Sequence, residues 1–227
     1  MSGNGERSVS NQIMWEPGTK LIENSNITAF INRIDQELGF KLAGYQQLYE
    51  WSIKSPQLFW KLLWDFLEIK TSVAPKEIFS PAEKIYQAKW ADGAKLNFAE
   101  NLLRFSDNQT AIIFWGEDKV KRNISYQELN QLVSQLAQYL RSIGLSKGDR
   151  VAAFTPNIPE AIIGMLACTS IGAIWSSCSP DFESQGVLDR FQQIEPKILF
   201  CADGYYYKSE KISSQKKLKK LQKTCQV

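Results

Sequence analysis

Beyond Arg150 the chain alternates three short, unbroken apolar runs with three segments of helical character, and this order restricts its fold more than any other feature. The runs are Val151–Phe154, Ala173–Ser177 and Lys197–Cys201; the helical segments are Pro159–Ile171, about Glu183–Ile194 and about Ser213–Lys223. Apolar runs without alternating polarity suit strands covered on both faces, and strand–helix repetition implies a parallel sheet. Ligands of such sheets sit at the carboxyl ends of the strands. That rule directs attention to the loops Thr155–Ile158, Cys178–Phe182 and Ala202–Ile212. After the third helix, where a further strand is expected, the residues end, so the sheet reads as unfinished.

The upstream half has a different pattern. Ile27, Phe30, Ile31, Ile34 and Leu38 recur at helical spacing, with Gly39 as a stop. A second helix is predicted over Tyr45–Ile53, and Ser55-Pro56 then starts a third through an N-cap and a first-turn proline. Trp51, Trp60 and Trp64 accompany Leu58, Phe59, Leu62, Leu63, Phe66 and Leu67, an aromatic-rich layer that reads as a helical cap rather than a ligand box. Residues 78–104 are loop-rich and read as a connector. Ala111–Trp115 and Val120–Ile124 flank Gly116-Glu117-Asp118 as a β-hairpin. Ser125 and Glu128 form a reciprocal capping box for a helix whose apolar face runs from Leu129 to Ile143. The expected fold is α/β: a helical N-terminal cap over 13–104, after a disordered arm (1–12). Over 105–227 follows the first part of an unfinished, mostly parallel sheet with helices on its faces.

Composition narrows the chemistry. The 227 residues contain no histidine, which removes Ser-His and Cys-His nucleophiles and imidazole-dependent zinc sites. Cys168, Cys178, Cys201 and Cys225 form no C-x-x-C, and the first three lie in apolar stretches as small buried, reduced hydrophobes. With 44% hydrophobic residues a packed core is expected, no run approaches the length of a membrane span, and Met1–Ser10 lacks an apolar signal core. A cytoplasmic location is expected. The sequons at Asn26, Asn108 and Asn123 carry no meaning without a secretory signal. The net charge of +3 divides unevenly, because seven lysines against one glutamate from Lys208 onward leave the rest slightly acidic. Lys216, Lys217, Lys219, Lys220 and Lys223 around Leu218 and Leu221 describe a basic amphipathic helix. Such runs can bind nucleic acid or anionic membranes. Without interleaved aromatics it reads as a solvated outer face, and neither partner is expected. Gly-rich phosphate loops and G-x-S-x-G are absent from the sequence. Asp181 and Glu183 read as helix-start residues rather than catalytic acids.

Several of these segments resemble the AMP-forming acyl-CoA synthetases, an adenylate-forming family. They are Arg150–Glu160 (RVAAFTPNIPE), Met165–Cys168 (MLAC), Gly172–Phe182 (GAIWSSCSPDF) and Gly186–Tyr205 (GVLDRFQQIEPKILFCADGY). Met14–Pro17, Trp51-Ser52, Phe59-Trp60 and Leu96–Leu102 agree, and the third and fourth segments resemble acetoacetate-activating members. The resemblance implies a large adenylate-forming domain behind an acetyl-CoA-synthetase-type N-terminal cap. It also implies a two-step ligase reaction: acetoacetate attacks the α-phosphate of ATP, with Mg²⁺, and the CoA thiol then displaces AMP. A carboxylate is a poor electrophile, so the protein's task is positioning and charge neutralisation.

The family's Ser/Thr/Gly/Lys phosphate loop and its mobile C-terminal lysine have no counterpart in these residues. The resemblance therefore implies an N-terminal fragment, inactive alone, with no catalytic or metal residue and with a downstream polypeptide as a possible partner. By the same resemblance, Ser179, Pro180, Asp181, Tyr207, Lys208, Ser209, Glu210 and Lys211 are candidate contacts for the nucleotide end of CoA. Relatives place two arginines in the second stretch, where Tyr207 and Glu210 stand here; Lys208 and Lys211 offer point charge instead. The alternative is a non-catalytic assembly module, or a remnant, pairing through its open sheet edge with a missing half or a full-length ligase.

Overall fold

The computed structural model describes residues 13–117 and 119–225, and side chains as far as residue 221. The expected N-terminal arm lies outside the described residues. The chain divides into two compact units, one of residues 13–69 with 73–94 and one of 70–72 with 95–225.

The first unit is mainly helical: α1 (Thr19–Glu23), α2 (Asn26–Leu38), α3 (Tyr45–Lys54) and α4 (Pro56–Phe66), followed by the paired two-residue strands β1 (Phe79–Ser80) and β2 (Lys89–Trp90). The Ser25 hydroxyl accepts from Thr28 N–H to start α2, and Gly39 ends it in the left-handed region at φ 71°. Ser55 stands at the start of α4 beside Pro56 as expected, but its side chain makes no capping bond. The core is small. Phe30, Ile34, Leu48 and Leu62 are buried, whereas Ile27 and Leu58 remain exposed. The aromatic residues meet each other: Phe30 lies edge-on to Phe59 at 5.9 Å, Trp60 to Trp90 at 4.7 Å, and Phe79 packs on Trp90 at 4.5 Å. Tilted and edge-on contacts match the ring quadrupoles.

The second unit carries the sheet. After α5 (Phe98–Leu102) come the antiparallel hairpin β3 (Thr110–Gly116) and β4 (Val120–Ser125), then α6 (Tyr126–Ser142). Next are β5 (Arg150–Phe154), α7 (Pro159–Ile171), β6 (Ile174–Cys178), α8 (Ser184–Ile194) and β7 (Ile198–Cys201). A second hairpin, β8 (Gly204–Tyr207) with β9 (Glu210–Ser213), precedes α9 (Gln215–Cys225). The strands β6-β5-β7 form a parallel sheet in that order, in register Trp175–Val151–Ile198. That row joins the cluster of α6 and α7, with Leu129, Leu140 and Leu166. The adjacent row's Ala152 and Leu199 join Val187, Leu188, Phe191 and Leu221 of α8 and α9. Alternate side chains of the sheet thus face two helical layers, as the pleat requires.

Four expectations change. β5 is buried along its length beyond Arg150, but β6 and β7 are only half-buried, because they are the sheet's edges; Ile174 is 53% exposed. Cys201, at the end of an edge strand, is exposed. The capping box of α6 is half-made: Ser125 accepts from Glu128 N–H at 3.1 Å, while no return bond from the Glu128 carboxylate forms. The apolar face of α6 ends at Leu140, since Ile143 is exposed beyond it.

Two asparagines secure this unit. Asn97 caps α5 through Glu100 N–H and donates to the carbonyls of Thr169 and Ser170 at the end of α7. Asn101 brackets the Lys70 peptide, accepting from its N–H and donating to its carbonyl. Both carry a donor and an acceptor on one amide, which is why they can satisfy orphan groups of two segments at once.

Candidate functional site

At the carboxyl ends of β5 and β7 the second unit opens a cleft of about 530 Å³. One wall is the first hairpin, with Phe114, Trp115 and Val120. The floor is the Pro156-Asn157-Ile158 loop after β5, and the far wall is β8, with Tyr205, Tyr206 and Tyr207. Asp203 and Lys211 supply charge, and the Lys121 ammonium lies 4.5 Å from the Trp115 ring. A second cleft, about 640 Å³, lies within the first unit between α4 and residues 74–79.

The segment Ala202–Ile212 is a hairpin rather than the loop expected. Three consecutive tyrosines favour extended backbone, and Lys208 and Ser209 form a two-residue turn at φ 51° and 64°, the twist that matches antiparallel strands. Gly204 is needed at its base: a Cβ there would come within 2.6 Å of the Ile212 carbonyl oxygen. Such a turn leaves the N–H groups of its two central residues outside the ladder. The Glu117 carboxylate takes both, accepting from Lys208 N–H at 2.6 Å and from Ser209 N–H at 2.7 Å. Glu117 is itself at φ 54° in the β3–β4 turn. Two turns thus meet over the cleft through one carboxylate.

Of the candidate CoA contacts, Tyr207 and Lys211 line this cleft. The Lys208 ammonium lies against the Tyr207 ring at 5.5 Å. Lys208 and Ser209 offer their backbone amides to Glu117, and Glu210 pairs with Tyr207 to close the turn. The Ser179-Pro180-Asp181 loop is engaged internally. Asp181 accepts from Ser179 Oγ and from Tyr205 Oη, each at 2.9 Å. Lys217 donates to the Pro180 and Phe182 carbonyls and lies 3.5 Å from Glu183. The basic helix α9 therefore uses one lysine to tie down this loop while Leu218 and Leu221 pack beneath it. Burial, reinforced by the Asp181 hydrogen bond, raises the Tyr205 pKa above the ordinary phenol value, so its hydroxyl stays a donor.

Asn157, Tyr205 and Tyr206 lie in two of the loops that strand order picked out, whereas Glu117, Phe114 and Trp115 of the first hairpin were not legible as site residues. A turn glutamate carries no local signal for the amide pair it meets 91 residues downstream. Burial pushes the Cys168 thiol up to about 11 and raises that of Cys178, the direction that disfavours the thiolate. Among the described residues no three His, Cys, Asp or Glu side chains converge on a metal position.

Comparison with known proteins defines the lineage. The family model described as "AMP-binding enzyme" matches residues 98–227, more than half of the chain. The chain belongs to the AMP-binding enzyme family. Residues 45–102 match the model of the acetyl-coenzyme A synthetase N-terminus. An acetoacetyl-coenzyme A synthetase of Rhizobium meliloti (strain 1021) is 41% identical over 211 residues, 93% of this chain and 32% of the relative. The acetoacetyl-CoA synthetase of Macaca fascicularis is 38% identical over 93% of this chain and 32% of its own. Among solved structures, an acetoacetyl-CoA synthetase from Streptomyces lividans superposes with a TM-score of 0.84 at 33% identity, covering 95% of this chain and 34% of that one. The chain thus spans about a third of the length of these relatives. Among the described residues no helix is long and apolar enough to cross a membrane.

Proposed function

We propose that this chain supplies the N-terminal third of an acetoacetate–CoA ligase. In that enzyme acetoacetate and ATP, with Mg²⁺, form an acyl-adenylate and pyrophosphate, and CoA then releases AMP. The match to acetoacetyl-CoA synthetases along nearly all of the chain carries this reading. In it, the aromatic cleft takes the nucleotide end of CoA, with a base against Trp115 or the tyrosine wall and Lys208 and Lys211 as point charges. The phosphate loop and catalytic lysine come from residues outside this chain.

The isolated chain is expected to release no pyrophosphate from ATP with acetoacetate, and to gain activity when a polypeptide carrying the remaining two thirds of a relative is added. Turnover by the chain alone would overturn its incompleteness. Calorimetric titration with CoA tests the cleft, and Lys208→Ala with Lys211→Ala should weaken the heats several-fold; indistinguishable heats would remove the CoA assignment. The edges of the sheet favour a second reading, an assembly module. Among the described residues β6 and β7 each present an unpaired side, and Ile174 is exposed on one of them. A stoichiometric complex without any gain of turnover would select it.

A further inference from the structure

The contact between the two hairpin turns has a consequence for what the cleft admits. A two-residue turn at positive φ aims successive backbone N–H groups at one point, which makes a small anion-binding concavity. Here that point is filled by the chain's own anion, with both donors within 2.7 Å of the Glu117 carboxylate. No ladder bond competes for these donors, because the register closes on Tyr207 and Glu210. Glu117 itself lines the cleft, as do Tyr207 and Lys211, so the occupied amides stand at its rim.

We infer that Glu117 is an internal stand-in ligand: its carboxylate occupies a two-amide phosphate site formed by Lys208 and Ser209 and must leave before a phosphate group can bind there. Glu117 has this gating role toward the phosphate groups of any ligand that enters the cleft. A carboxylate and a phosphate cannot share two N–H donors, and bringing a second anion beside Glu117 adds repulsion. The gate opens by exchange, with one set of charge-assisted hydrogen bonds replaced by another. Apolar and aromatic parts of a ligand meet no such barrier. The cleft as it stands therefore discriminates against phosphate at its turn end while its aromatic walls remain available.

The test uses inorganic phosphate and the full 227-residue chain, with the backbone amide resonances of Lys208 and Ser209 as the readout. In the unaltered protein these amides should be protected from hydrogen exchange and move little as phosphate is added. In Glu117→Ala they should lose protection and show saturable shifts, with apparent phosphate affinity at least about tenfold higher. Glu117→Gln keeps the shape and one acceptor oxygen, and should fall between the two. Asp189→Asn removes an equal charge on α8 without freeing the turn amides, and should leave the shifts as in the unaltered protein. Equal phosphate affinity in Glu117→Gln and the unaltered chain, or an equal gain in Asp189→Asn, would overturn the gate. If Glu117→Ala does not fold, the Glu117→Gln titration and its exchange rates decide alone. A failed CoA titration with a positive phosphate result would remove the CoA reading and leave the gate standing.

Discussion

The helical cap and the α/β unit reach a folded state by different means. The cap hides four side chains, Phe30, Ile34, Leu48 and Leu62, and relies on large rings that are half in water yet meet edge to face. The α/β unit instead layers aliphatic side chains on both sides of β5, whose Val151, Ala152, Ala153 and Phe154 are all buried. A ring keeps much of its contact when one edge is wet, whereas an aliphatic layer needs full enclosure. Losing a buried group should therefore cost more in the α/β unit, where neighbours on two sides prevent collapse into the gap.

The largest expected effect follows from that contrast. Phe191→Ala, within the layer of α8 and α9, should destabilise the α/β unit by about 3–5 kcal/mol, and Leu62→Ala should cost the cap less, toward about 2 kcal/mol. Five of the seven tryptophans, at 15, 51, 60, 64 and 90, belong to the cap. Denaturant unfolding followed by tryptophan fluorescence therefore reports mainly the cap, and far-ultraviolet circular dichroism reports both units. Identical shifts of both signals in both variants would break the comparison.

A smaller effect tests how tightly the α/β layers close. A Cβ at Gly164 of α7 would lie 2.8 Å from the Trp175 ring on β6. Gly164→Ala should cost about 1–3 kcal/mol through overpacking, although alanine favours a helix. Unchanged or improved stability would show that the indole moves freely at the sheet edge. The smallest effect sharpens the comparison at the helix starts. Ser125→Ala removes a hydroxyl that caps α6 and should cost about 1 kcal/mol, while Ser55→Ala before α4 removes no bond and should cost under about 0.5 kcal/mol. Equal costs, measured as midpoint shifts in urea, would mean that Ser55 caps in solution.

The pair of serines also marks how far reading the residues can go. Both stand where an N-cap belongs, yet only one makes the bond. Placement follows local spacing, while the side-chain bond depends on a backbone angle; at Ser55 that angle is set by the close junction of α3 and α4. The strands at 151, 174 and 198 were legible because apolar runs between helical periods have few alternatives. Their positions in the sheet were not, since strand order depends on pairing across the chain, and it is order that leaves Cys201 and Ile174 exposed at edges. The hairpin at 204–213 was hidden because lysine and serine are unusual at positive φ.

Sequence alone determined the helical character of the first unit, the parallel α/β pattern of the second, the lineage, and that these 227 residues offer no histidine. Those follow from periodicity, capping residues and composition, which act over a few turns of chain. Tertiary structure decided that the loops after β5 and β7 and the first hairpin share one aromatic cleft, and that Glu117 holds the amides of Lys208 and Ser209. Groups some ninety residues apart become partners only when folding brings together a carboxylate and two N–H donors that neither segment can satisfy by itself.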